Sequence, residues 1–98
     1  MEVTIDKQDS KLTVKVTGRL DTLSSPELEK KLGSVLEGVT YVVMDLNELE
    51  YISSAGLRVL IGISKALGAQ GEMKIINVNE TVMDIFEVTG LDGILNIV

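Results

Sequence analysis

Residues Tyr41 to Leu67 read YVVMDLNELEYISSAGLRVLIGISKAL, and the reading of this stretch decides the fold. YVVMDL, Tyr41 to Leu46, is a continuous apolar run of the kind found in a strand covered on both faces. NELEYIS reads as a loop leaving that strand. From Ala55 to Ala69 apolar residues recur at helical spacing. A strand followed at once by an amphipathic helix is the building block of a parallel sheet with helical crossovers.

Working outward from this block, the N-terminal side is antiparallel. In KLTVKVTG, Leu12, Val14 and Val16 share one face while Lys11, Thr13 and Lys15 share the other, and VTI at Val3 to Ile5 alternates in the same way. DKQDSK between them reads as a hairpin turn. SSPELEKKLGSVLEG then predicts a helix, with Ser24 or Ser25 as cap, Pro26 and Glu27 in its first turn, and Leu28, Leu32, Val35 and Leu36 inward; Gly38 ends it. On the C-terminal side, GAQGEMKIINV predicts a glycine exit and a strand over Met73 to Val78. NETVMDIFEVTG predicts a third helix, capped by Asn79 and closed by Gly90, with Val82, Ile85, Phe86 and Val88 on its inner face. GILNIV is a short final strand. The order β-β-α-β-α-β-α-β predicts an α/β fold, a mixed sheet with helices packed against it, and residues 1–98 are expected to form a single domain.

The composition narrows the function. Nine Lys and Arg against fifteen Asp and Glu give a net charge of −6, the basic residues are scattered, and aromatics are 3%, so neither a phosphate backbone nor stacked bases are expected partners. With no Cys and no His, thiolate chemistry, a Ser-His-Asp triad and the commonest metal ligands are excluded. Asp45 at a strand end reads as a turn or cap residue rather than a catalytic acid, and no glycine loop of the Walker type is present. The expectation is a binding protein and not an enzyme, with no catalytic residue, metal or cofactor. MEVTIDKQDS does not resemble an export signal and no stretch approaches the ~20 apolar residues of a membrane span, so a cytoplasmic location without membrane insertion is expected.

Two adjacent serines sit where NELEYIS meets the helix. The side-chain oxygen of Ser54 can accept a hydrogen bond from the first free backbone N–H groups, the ordinary capping role. The same helix end carries partial positive charge and is a good seat for a phosphate, and phosphorylation of Ser54 adds about −1.5 to −2 charges without breaking the fold. Both readings stand on the sequence. Gly56 either leaves the first turn open for an enzyme to approach the hydroxyl or packs closely on a neighbouring strand or loop. Along the helix, Leu57, Val59, Leu60, Ile61, Ile63, Ala66 and Leu67 spread beyond one buried stripe and leave Arg58, Gly62 and Lys65 as a narrow polar line. Gly62, which costs about 1 kcal/mol relative to Ala inside a helix, marks a place where another backbone or a partner comes close.

VTGRLDTLSSPELEKKL, YVVMDLNELEYISSAGLRVLIGISKAL and IFEVTGLDGILNI together resemble the anti-sigma factor antagonists, proteins of the STAS domain fold, over nearly the whole chain. In that family a strand–loop–helix junction carries a phosphorylatable serine, and the match places it on Ser54, followed by Ala55, Gly56, Leu57 and Arg58. Ser53 stands where many members have Asp. The resemblance implies partner switching. The unphosphorylated protein binds an anti-sigma factor that is also a serine kinase, phosphorylation by that kinase ends the binding, and a serine phosphatase restores it. The resemblance also implies that Asp21 and Thr22 of GRLDTLSS lie beside the serine and share the partner surface with Ser53 to Arg58; Asp21 reads equally as a turn or capping residue. STAS domains also accompany membrane transporters, so a scaffold subunit that is never phosphorylated is the alternative.

Overall fold

In the computed structural model, which describes residues 1–69 and 71–98, the chain opens as the alternation predicts. β1 (Glu2–Gln8) and β2 (Lys11–Leu20) pair antiparallel, with Val3 opposite Val16 and Ile5 opposite Val14. The strands run further than expected. DKQDSK contracts to a turn at Asp9 and Ser10, with Asp9 at φ 54°.

The other elements are α1 (Ser25–Gly33), β3 (Tyr41–Asp45), β4 (Leu49–Ile52), α2 (Ser54–Leu67), β5 (Glu72–Ile76), α3 (Glu80–Thr89), a 3-10 turn at Leu91–Gly93 and β6 (Asn96–Ile97). The sheet runs β1-β2-β3-β5-β6, antiparallel at its first pair and parallel thereafter. A mixed sheet with helices packed against it is therefore the architecture among the described residues. Val14, Met44 and Ile75 lie in register and are fully buried, whereas Thr13, Val43 and Lys74 on the opposite face are half-buried. The expectation that YVVMDL is covered equally on both faces is corrected accordingly. Leu28 and Leu32 of α1, Leu57, Leu60 and Ile63 of α2, and Val82 and Phe86 of α3 join that core. At about 25 cal/mol per Å² of apolar area removed from water, burial on one face is the main stabilising term.

The element absent from the sequence reading is β4, inside the stretch taken as a loop. It pairs parallel with the far end of β2, Gly18 to Leu20, after β2 has paired with β3 over Lys11 to Lys15. One strand thus serves two partners along the same edge. The change of partner coincides with a register shift at Gly18, whose φ of +81° is open to glycine at little cost. In β4 Glu50 is exposed and Tyr51 half-buried between buried Leu49 and Ile52, so four residues show no clean alternation.

Helix ends differ in detail. α1 stops at Gly33, leaving Val35 and Leu36 half-buried in the following segment, and Gly38 serves a later bend at φ 78°. α2 stops at Leu67, before Gly68 at φ 70°. Gln70 of the predicted glycine exit lies outside the described residues. β5 ends at Ile76 because Asn77 adopts φ 59°. α3 begins and ends where expected. The Asn79 side chain accepts from the Val82 N–H at 2.8 Å, its amide donates to the Leu49 carbonyl at 2.6 Å, and Gly90 closes the helix in the left-handed conformation. Val88 faces solvent rather than the core, with 88% of its surface exposed.

Candidate functional site

β4 delivers the chain to the N-terminus of α2, and the hydrogen bonds there assign the two serines different tasks. The Ser53 N–H donates to the Leu20 carbonyl at 2.8 Å, fixing the entry of the helix to the end of β2. Ser53 is extended, its carbonyl accepts from the Leu57 N–H at 2.9 Å, and its Oγ accepts from the Gly56 N–H at 3.4 Å. Ser53 is the cap. The expectation that Ser54 caps is thereby corrected, because α2 begins one residue earlier than its apolar pattern does. Ser54 occupies the first helical position, is exposed, and its hydroxyl has no hydrogen-bond partner among the described residues.

The rest of YISSAGLR divides between anchoring and display. Gly56 is buried, and a Cβ there would lie 2.8 Å from Ile52 Cγ1, 2.9 Å from Leu20 Cγ and 3.0 Å from the Leu20 oxygen. Of its two readings, close packing on the neighbouring strands is the one observed. Leu57 is also in the core. Ala55 is half-buried and Arg58 exposed, so Ser54, Ala55 and Arg58 are what the helix end presents. Gly62 is exposed with nothing within 4 Å of an added Cβ, so among the described residues no backbone from another element approaches it.

The loop between β2 and α1 lies alongside and is held by its own side chains. Asp21 Oδ1 accepts from the Leu23 and Ser24 N–H groups, each at 3.0 Å, while the Asp21 N–H donates to Ser24 Oγ at 2.9 Å. The Ser24 hydroxyl lies 2.8 Å from the Arg19 carbonyl that accepts from it, and the buried Ser25 hydroxyl donates to the Asp21 carbonyl. Asp21 is therefore a turn residue. The Ser24 N–H, followed by the Ser24 hydroxyl, holds its carboxyl below the ordinary value of 3.8. This turn displays Thr22 and leaves Leu23 with 90% of its surface in solvent.

Thr22, Ala55 and Arg58 line one groove of about 610 Å³ with Pro26, Glu29 and Lys30 of α1. A second lobe of about 310 Å³ continues between α1 and α2, past Leu32, Gly62 and Ile63. Among the described residues no cluster of acidic side chains is suited to a metal, and no helix is long and apolar enough to cross a membrane. The first turn of α2 also carries no carboxylate that could act as a base for Ser54. The arrangement leaves an exposed hydroxyl at the start of α2 with an open groove beside it.

The family model of the STAS domain matches residues 2–98. The chain belongs to the STAS domain family. This STAS domain is 37% identical over 92 residues to BtrV of Bordetella bronchiseptica, provisionally named an anti-sigma factor antagonist, covering 92% of this chain and 79% of that one. It is 30% identical over 98 residues to the anti-sigma-B factor antagonist of Bacillus subtilis, covering 99% and 90%. The fold of the anti-sigma factor antagonist SpoIIAA is shared in two solved forms. Its unphosphorylated form superposes with a TM-score of 0.86 at 19% identity, covering 99% of this chain and 88% of that one. Its phosphorylated form, from Bacillus, gives 0.76 at 18%, covering 99% and 91%.

Two features near the candidate site escaped the sequence reading. Leu23 sits in DTLSS, where a single apolar residue in a turn gives no periodic signal, and its exposure follows from the Asp21 turn alone. The groove joins residues of α1 to residues of α2, which the sequence separates by two strands.

Proposed function

We propose that this STAS domain is an anti-sigma factor antagonist of the cytoplasm, binding an anti-sigma factor serine kinase in its unphosphorylated form and released by phosphorylation of Ser54. The observation that carries the reading is the division of labour between the serines. Ser53 satisfies the helix end, so the Ser54 hydroxyl is free for modification without loss of a structural hydrogen bond. The kinase transfers the γ-phosphoryl of ATP to Ser54 Oγ, its own base takes the hydroxyl proton, and ADP leaves. A phosphatase hydrolyses the ester and resets the switch.

A phosphate at the first helical position sits at the positive end of the α2 dipole and leaves the fold intact. Within a contact surface the same dianion must be desolvated or paired, which costs several kcal/mol where the partner offers no cation, enough to abolish a modest affinity. The contact surface in this reading is Thr22, Ala55 and Arg58 around Ser54, with Asp21 and Ser53 shaping the two chain segments and Gly56 and Leu57 anchoring the helix beneath them. The named roles of the relatives and the phosphorylated form of SpoIIAA support the same reading.

The test is incubation with the cognate anti-sigma factor kinase and Mg-ATP, followed by intact-mass and peptide mapping. Wild type and Ser53→Ala take one phosphate per chain and Ser54→Ala takes none. A phosphate that persists in Ser54→Ala moves the site and ends the proposal.

A further inference from the structure

We propose that Arg58 is the internal counter-ion of phosphorylated Ser54, so that one modification both adds a dianion to the partner surface and withdraws a cation from it. This rests on Ser54 as the phosphorylated residue and adds how the phosphate is held. Residues four apart on a helix are neighbours on one face, and side chains lean toward the helix N-terminus, which tips Arg58 over the first turn of α2. Both residues are exposed. Arg58 forms no ion pair among the described residues, whereas Lys15 is 3.1 Å from Glu48, Lys31 is 3.4 Å from Glu27, and the Arg19 guanidinium lies 4.4 Å over the Tyr51 ring.

The charges that line the groove beside this pairing offset one another. The first turn of α2 has no acidic residue. From α1, Glu29 and Lys30 line the same groove as Arg58 and carry opposite signs. Asp21 is committed to the backbone of its own loop. A guanidinium offers a planar fork that matches two phosphate oxygens, which an ammonium does not. In the unphosphorylated protein Arg58 is free for a partner's acidic group. Once paired with the phosphate it is not, and the local charge changes sign. A cation beside the ester also favours the dianion over the monoanion, so the phosphate titrates below the ordinary second pKa of about 6 and is fully charged at neutral pH.

The experiment places phosphoserine at position 54 during translation, so that it needs no kinase, and follows the ³¹P chemical shift against pH. The wild-type ester titrates about half a pH unit below the same ester in Arg58→Gln, with Arg58→Lys between them. Equal titration midpoints in wild type and Arg58→Gln would overturn the pairing. The readout is independent of which serine a kinase chooses: an unshifted titration removes only the counter-ion, whereas phosphate retained in Ser54→Ala removes the switch itself.

Discussion

Replacing Gly56 with Ala is the sharpest probe of how α2 is seated. The added methyl lies 2.8 Å from Ile52 Cγ1 and 2.9 Å from Leu20 Cγ, on side chains that are 1% and 0% exposed, so neither can swing aside. Its third neighbour, the Leu20 oxygen at 3.0 Å, is the acceptor of the Ser53 N–H. Overpacking of this kind costs about 1–3 kcal/mol, against which alanine's better helix propensity returns about 1 kcal/mol. Two contacts under 3.0 Å to side chains with no room to move place the cost at the upper end, about 2–3 kcal/mol, so the net is a destabilisation of about 1–2 kcal/mol, or roughly 5–15 °C in Tm for a chain of this size. Gly62→Ala is the control on the same helix. Nothing lies within 4 Å of its added Cβ, so only the propensity gain remains and the melting temperature rises by about 4–6 °C. Thermal melts by circular dichroism with urea titrations read both. A Gly56→Ala variant melting at or above wild type would refute the close packing of α2 on Leu20 and Ile52.

Other outcomes follow from single contacts. Asn79→Ala removes both the α3 cap and the tie to Leu49 and destabilises by about 1–2 kcal/mol in urea, with an unchanged m value. Asp21 has its carboxyl lowered from 3.8 by the Ser24 and Leu23 donors, so its contribution is complete above about pH 4 and is lost as pH falls through the folded value. The stability difference between wild type and Asp21→Asn is therefore flat near neutrality and narrows in acid, and a difference that widens in acid would contradict the assignment. Leu23→Ser removes an apolar side chain already 90% exposed and adjacent to Thr22 of the proposed contact surface, so the melting temperature stays put while, if that surface extends to Leu23, binding to the anti-sigma factor weakens about tenfold in calorimetric titration.

Elements with a strong period were legible in the sequence, and elements defined by distant partners were not. Leu12, Val14 and Val16 announced β2, and Asn79 with Gly90 bracketed α3, because each signal lies within one element. β4 was hidden because LEYI is short, does not alternate, and is a strand only by virtue of Gly18 to Leu20 some thirty residues earlier. Val88 was misplaced because, two residues past Phe86, it lies about 200° round the helix from that buried side chain and so on the solvent side of α3. At the site, the sequence located the serine pair but left the cap unresolved. A shift of one residue in the helix start decides whether Ser54 is a structural acceptor or a free hydroxyl, and only the bonds from Gly56 and Leu57 to Ser53 distinguish the two.

The most direct measurement is the dissociation constant for the anti-sigma factor kinase of this chain bare and of this chain carrying phosphate on Ser54, determined by isothermal titration under one buffer. A gated surface predicts binding at least about 100-fold weaker for the phosphorylated form. Equal affinities for the two forms would contradict the account.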